Sequence, residues 1–157
     1  MDDLTPPYRA YAAIMGGFAG LLGVGAVAGR VLGRRPQCET ALDLAVLSAA
    51  SFKAARTLAR DGVSSFIREP FVRGEALHGD EEPLQTGGMH QALGELVTCT
   101  RCVGTWAAAG LATGQVVAPR LGRLLTWSLA AAAVNDWLQA GFVALASKSN
   151  ELEERAG

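Results

Sequence analysis

A chain of 157 residues that is half hydrophobic and only 18% charged, with a mean hydropathy of +0.21, leans toward the membrane class and away from ordinary soluble domains, and one domain suffices for its length. Its 14 basic and 15 acidic residues leave a formal charge of −1, which excludes nucleic-acid binding through net charge. Three cysteines are too few for a disulfide scaffold, and the odd number leaves one unpaired within a monomer.

The fold class expected is all-α, an integral membrane helical bundle of about four transmembrane helices. Residues 10–33 read as the first. Ala10–Gly29 carries no charge over twenty residues, enough at about 1.5 Å per residue to cross roughly 30 Å of hydrocarbon, and Arg30, Arg34 and Arg35 close it. Ala26-Val27-Ala28 resembles a signal-cleavage site. The apolar stretch before it is longer, and the leading segment more acidic, than a secretory signal has.

Residues 40–60 read as the second helix, its apolar part Ala41–Phe52 interrupted by Asp43 and extended by snorkelling Lys53 and Arg56. Residues 61–97 mix Gly, Pro and charges and read as a cytoplasmic loop with one surface helix around Val63–Phe71. Residues 98–118 read as the third helix, capped by Thr98 and stopped by Pro119. Arg120–Arg123 reads as a tight connection, residues 121–146 as the fourth helix, and residues 147–157 as a solvated tail.

Four spans put both termini on one side of a cell membrane. Of the 14 basic residues, Arg30, Arg34, Arg35, Arg120 and Arg123 then fall on the opposite side and the other nine with the termini, which makes the terminal side cytoplasmic by the positive-inside rule. The alternative is three spans, with residues 40–60 lying on the cytoplasmic surface and the N-terminus outside.

Four sets of residues stand out. Gly16/Gly20, Gly25/Gly29 and Gly110/Gly114 recur every four residues, a spacing that lets helix backbones approach closely in lipid, although a Gly-rich stretch meets it by chance as well. Lys53, Arg56 and Arg60 share a helix face with Arg68 nearby, and suit either anionic lipid or simple anchoring at the membrane edge. Asn135 and Asp136 fall near the centre of the fourth apolar stretch. A carboxylate there costs on the order of 3 kcal/mol on insertion scales, so it calls for a partner among Thr105, Thr113 and Gln115, for an ion or proton, or for a bend that brings it to an interface. Cys99 and Cys102 fall in the first turn of the third helix, where the helix dipole and Arg101 favour a thiolate. They suit a redox pair, half of a zinc site completed by His78, His90 or a second chain, or plain packing at a membrane boundary.

The run Ser51-Phe52-Lys53-Ala54-Ala55-Arg56-Thr57-Leu58-Ala59-Arg60-Asp61, continuing to Arg68-Glu69-Pro70-Phe71, and the later run Gly94-Glu95-Leu96-Val97-Thr98-Cys99-Thr100-Arg101-Cys102-Val103-Gly104-Thr105-Trp106 together resemble a bacterial membrane family known as domain of unknown function 1360. The resemblance covers roughly residues 41–146 and makes the first helix an addition. Arg101 departs from the aromatic or apolar residue of that pattern. The resemblance implies architecture and no activity.

The function expected is therefore a non-catalytic membrane subunit or scaffold working through helix packing, with the lipid bilayer and a homo-oligomer or larger membrane complex as partners. The alternative is a membrane-bound thiol redox or zinc protein using Cys99 and Cys102. A solute or proton carrier centred on Asp136 lacks a repeated half and a second buried charge.

Overall fold

The computed structural model describes residues 6–34, 40–74 and 80–156. Cys38, His78 and Arg35 lie outside them. Helix α1 is Tyr8–Val31, α2 Ala41–Arg60, α3 Ser65–Arg68, α4 Gly88–Thr98, α5 Thr100–Val117 and α6 Pro119–Ala156. Tight turns at Gly62–Ser64 and Glu69–Phe71 flank α3. A two-residue ribbon follows, β1 (Val72–Arg73) antiparallel to β2 (Glu82–Pro83) with Val72 opposite Pro83. The protein is thus all-helical among its described residues apart from this ribbon, and two helices, α1 and α6, are long and apolar enough to cross a membrane.

Local chemistry explains the boundaries. Thr40 and Asp43 form a reciprocal capping box, so the acid that interrupts the second apolar run is the device that starts α2. Gly33, at φ +61°, turns the chain out of α1: its amide bonds to Arg30 O at 3.3 Å and that of Arg34 to Gly29 O at 2.8 Å, the paired closure that favours glycine after a helix end. The Arg34 guanidinium then reaches the last carbonyls of α5, Val116 O at 3.2 Å and Val117 O at 2.9 Å, where a cation meets the negative end of the helix dipole.

Several expectations need correction. The segment 61–97 is not all loop, because Gly88–Thr98 is a helix. Its surface helix at 63–71 is broken into the two turns and the single-turn α3, with Pro70 denying it a continuous hydrogen-bond ladder. Thr98 ends α4, its hydroxyl donating to Gly94 O at 2.9 Å, and Cys99 caps α5. Pro119 does not stop a helix but opens α6 at its first position, where a missing N–H costs nothing. The connection is Ala118, and Arg120–Arg123 are already helical. The tail is solvent-exposed but helical through Ala156; Lys148 and Arg155 both pair with Glu151 one turn away, which supports an exposed helix modestly.

Side-chain contacts fix the helix directions. Phe18 meets Trp106, Gly25 faces Thr113 and Gly29 faces Val116, so α1 and α5 run parallel. Leu42 and Trp127 border one groove, and Phe52 meets Trp137, so α2 and α6 run parallel. Ala55 and Ala59 on the second half of α2 pack on Val103 near the start of α5, so the two pairs are antiparallel. Helix α5 touches α1, α2 and α6, whereas α1 rests mainly on α5 and to a lesser extent on α4. The start of α1, the ends of α2 and α6, and the described residues of the segment 61–98 therefore gather at one end of the bundle. At 38 residues and about 1.5 Å per residue, α6 overshoots that end, and from Trp137 to Arg155 every residue is exposed except half-buried Glu151.

The interior is built from small side chains. Ala50 and Ala133 are fully buried, with Ala55, Ala59, Ala109 and Ala130 nearly so, while Val24, Leu42, Leu44, Leu124, Leu138 and Phe142 face outward. Among the glycines at four-residue spacing, a β-carbon on Gly25 would lie 2.8 Å from Thr113 Oγ1 and one on Gly29 2.9 Å from Arg34 O; Gly16, Gly20, Gly110 and Gly114 have open space. The closest approaches occur elsewhere. A β-carbon on Gly94 would lie 2.6 Å from Phe71 O, and one on Gly122 2.6 Å from the Gln115 amide nitrogen. Gly122→Leu is accordingly expected to cost more than about 2 kcal/mol by prising α6 from α5. Gly110→Leu should be tolerated. Thermal unfolding in detergent checks the contrast, and equal melting of the two variants would contradict the close approach.

Candidate functional site

The elements that could carry chemistry cluster at the end where the loop segment packs. Cys99 is both the last residue of one helix entry and the first of the next, ending α4 and capping α5. Its Sγ accepts the Cys102 amide at 3.3 Å, and the two cysteines are joined as a disulfide with a Cα separation of 5.3 Å. Cys102 borders a cleft of about 440 Å³ between α1, α4 and α5, walled by Ile14, Met15, Phe18 and Trp106. The polar groups there satisfy one another: the Tyr11 hydroxyl donates to Glu95, whose other oxygen accepts from Gln91 Nε2 at 2.9 Å. A sulfur at a helix N-terminus facing an apolar cleft can exchange with a thiol that approaches through it.

Of the zinc donors expected beside the cysteine pair, His78 lies outside the described residues. Among the described residues no group of three or more His, Cys, Asp or Glu converges. His90 lies nine residues before Cys99 on α4, about 13 Å along the axis, where its ring contacts Phe71 at 5.1 Å and its Nδ1 lies 3.1 Å from Thr86 Oγ1. A tetrahedral site needs two donors beyond the cysteine pair.

Asp136 has a partner that sequence reasoning did not name. Lys53 Nζ donates to its Oδ2 at 2.7 Å across α2 and α6, with side-chain exposures of 19% and 36%, and the Phe52–Trp137 contact at 5.7 Å lies beside it. The three neighbours expected of it are engaged elsewhere. Thr105 donates to Arg101 O at 3.2 Å, Gln115 donates to Thr126 Oγ1 at 2.9 Å in the α5–α6 core, and Thr113 lies against Gly25. Asn135 is exposed beside the apolar groove between α2 and α6.

The basic set divides. Lys53 is taken by Asp136. Arg68 is fully buried and holds the loop layer together: its Nε donates to Glu81 at 2.7 Å and its Nη1 to Leu58 O at 2.7 Å, Asp61 O at 3.2 Å and Ser64 Oγ at 2.9 Å. Arg68 thus ties the end of α2 to the ribbon and is not exposed to lipid. Arg56 and Arg60 stay on the surface.

Sequence reasoning missed Tyr11, Arg34, Glu81 and Glu95. Each belongs to a pair whose members lie far apart in the chain, except Glu81, which is 13 residues from Arg68. A family model described as a protein of unknown function (DUF1360) matches residues 46–142, leaving out α1 and the overshooting end of α6. No curated protein and no solved structure matches.

Proposed function

Since the chain belongs to the DUF1360 family, whose description carries no activity, we propose from its own geometry that it is a four-pass membrane protein acting as a non-catalytic subunit, with both termini and the segment 61–98 in the cytoplasm. The observation that supports this is the inverted distribution of side chains. Alanines fill the contacts between helices while Leu, Val and Phe face outward on α1, α2 and α6. In water such a surface is an aggregation hazard; in lipid, small residues at contacts and large apolar ones outside are what packing favours. Helix α5, enclosed by three others, needs little hydropathy of its own. The nine-to-five division of basic residues sets the orientation. Reporter fusions after Lys148 and tags before Tyr8 are both expected to read cytoplasm. An N-terminus outside with a C-terminus inside would overturn the four-pass reading in favour of a surface-lying α2.

The cysteine pair supports a second reading, a thiol–disulfide exchange protein. On the cytoplasmic side disulfides are rare and those present are transient and catalytic or redox-sensing. In the exchange a partner dithiol loses two electrons and two protons to become a disulfide, and Cys99 and Cys102 gain them as thiols. Replacing both cysteines with serine separates the readings. A subunit keeps its assembly and cellular effect, whereas an exchange protein loses its effect entirely, and thiol trapping from cells shows a mixed population only in the second case.

A further inference from the structure

Between the cytoplasmic halves of α2 and α5 lies a cleft of about 520 Å³, bordered by Arg56, Arg60, Thr100 and Arg101. Its floor is the close contact of the two helices, where a β-carbon on Gly104 would sit 3.6 Å from Ala55 Cβ. Arg56 and Arg60 stand one turn apart on α2, and Arg101 enters from the first turn of α5. No carboxylate among the described residues forms an ion pair with any of the three: Asp136 pairs with Lys53 and Glu81 with Arg68, and Asp61, next to Arg60 in the chain, pairs with none of them. Three guanidinium groups around one cleft repel one another, and the positive end of the α5 dipole adds to the same field. All three are exposed, so solvent screens much of that repulsion, and an anion in the cleft would remove the rest. Guanidinium forks match the oxygens of a phosphate two at a time.

We propose that this cleft binds a phosphate group through Arg56, Arg60 and Arg101. The group arrives either as the head of an anionic lipid in the adjacent leaflet or as a soluble phosphate monoester. The lipid source rests on the four-pass reading; the cleft itself does not.

The test uses the full chain in nanodiscs of phosphatidylcholine containing a minor fraction of phosphatidylglycerol, with retained lipid measured by mass spectrometry, and glycerol 3-phosphate titrated in parallel in neutral detergent. Selective retention of phosphatidylglycerol identifies the lipid source, and saturable binding of glycerol 3-phosphate without lipid selectivity identifies the soluble one. Each arginine changed to Gln should weaken binding about fivefold, and the triple variant about a hundredfold. Arg30→Gln with Arg120→Gln, at the other end of the bundle, should leave it unchanged. Arg101→Gln alone carries the test should the triple variant not fold. Binding of neither probe, or retention of full binding by the triple variant, overturns the proposal. Undiminished binding when all three become Lys also overturns it, since a diffuse basic patch would need only the charge. Failure of the topology reporters with glycerol 3-phosphate binding intact would remove the four-pass reading and leave the cleft.

Discussion

Asp136→Leu is expected to destabilise the bundle by about 3–5 kcal/mol, because it leaves the Lys53 ammonium without its partner in an apolar setting. The partial exposure of the pair, 19% for Lys53 and 36% for Asp136, places the cost at the lower end if water reaches it and at the upper end if lipid does. Lys53→Met should do comparable damage by stranding the carboxylate. Combining Lys53→Met with Asp136→Leu should recover most of the loss, since an apolar pair of similar volume needs no desolvation. Reversible unfolding in mixed micelles gives the three values and their coupling. Single variants that each lie within about 0.5 kcal/mol of the parent would show that the pair contributes little.

A second large effect is expected at Arg68. Arg68→Met removes a fully buried cation and strands Glu81, whose side chain is 8% exposed, together with the Leu58 and Asp61 carbonyls. A loss of about 3–5 kcal/mol follows from the uncompensated charge alone. Lysine does not rescue it, because one ammonium cannot reach the carboxylate in one direction and two carbonyls and a hydroxyl in another through a planar fork. The damage should concentrate in residues 61–98, with α1, α5 and α6 retained. Limited proteolysis would show new cleavage near the ribbon before any loss of helical signal. If Arg68→Met matches the parent in both protease resistance and melting, the buried network is not what holds this layer.

The long apolar elements were legible because hydropathy and length are local properties. Helix α1 announces itself through its uncharged run, and α6 through its apolar stretch, although nothing local showed that the exposed tail continues it. Helix α4 carried a readable signal that the surrounding Gly, Pro and charges obscured: Met89, Ala92, Leu93, Leu96 and Val97 recur at helical spacing. Asp43 looked like an interruption because its role depends on Thr40 three residues earlier. Pairings were the illegible part. Lys53 meets Asp136 across 83 residues and Tyr11 meets Glu95 across 84, and both depend on which helices run parallel and in what register, which periodicity does not encode. Of the basic face on α2, spacing correctly placed Arg56 and Arg60 near one another. It could not say that Lys53 would be neutralised or that Arg101 would join them.

The separation of Lys53 from Asp136 also sets a timetable for biosynthesis. Their separation of 83 positions, added at about 5–20 residues per second, means that α2 leaves the ribosome several seconds before the carboxylate that neutralises its lysine exists. During that interval the ammonium must stay near the headgroups, its methylene stem reaching back along the helix. If α2 spans as the four-pass reading has it, it is expected to sit shallow or tilted in the nascent chain and to move to its final depth when α6 arrives beside it. A ribosome-stalled chain ending before Asp136 should report Lys53 as accessible to a water-soluble amine reagent, and one ending after residue 156 should not.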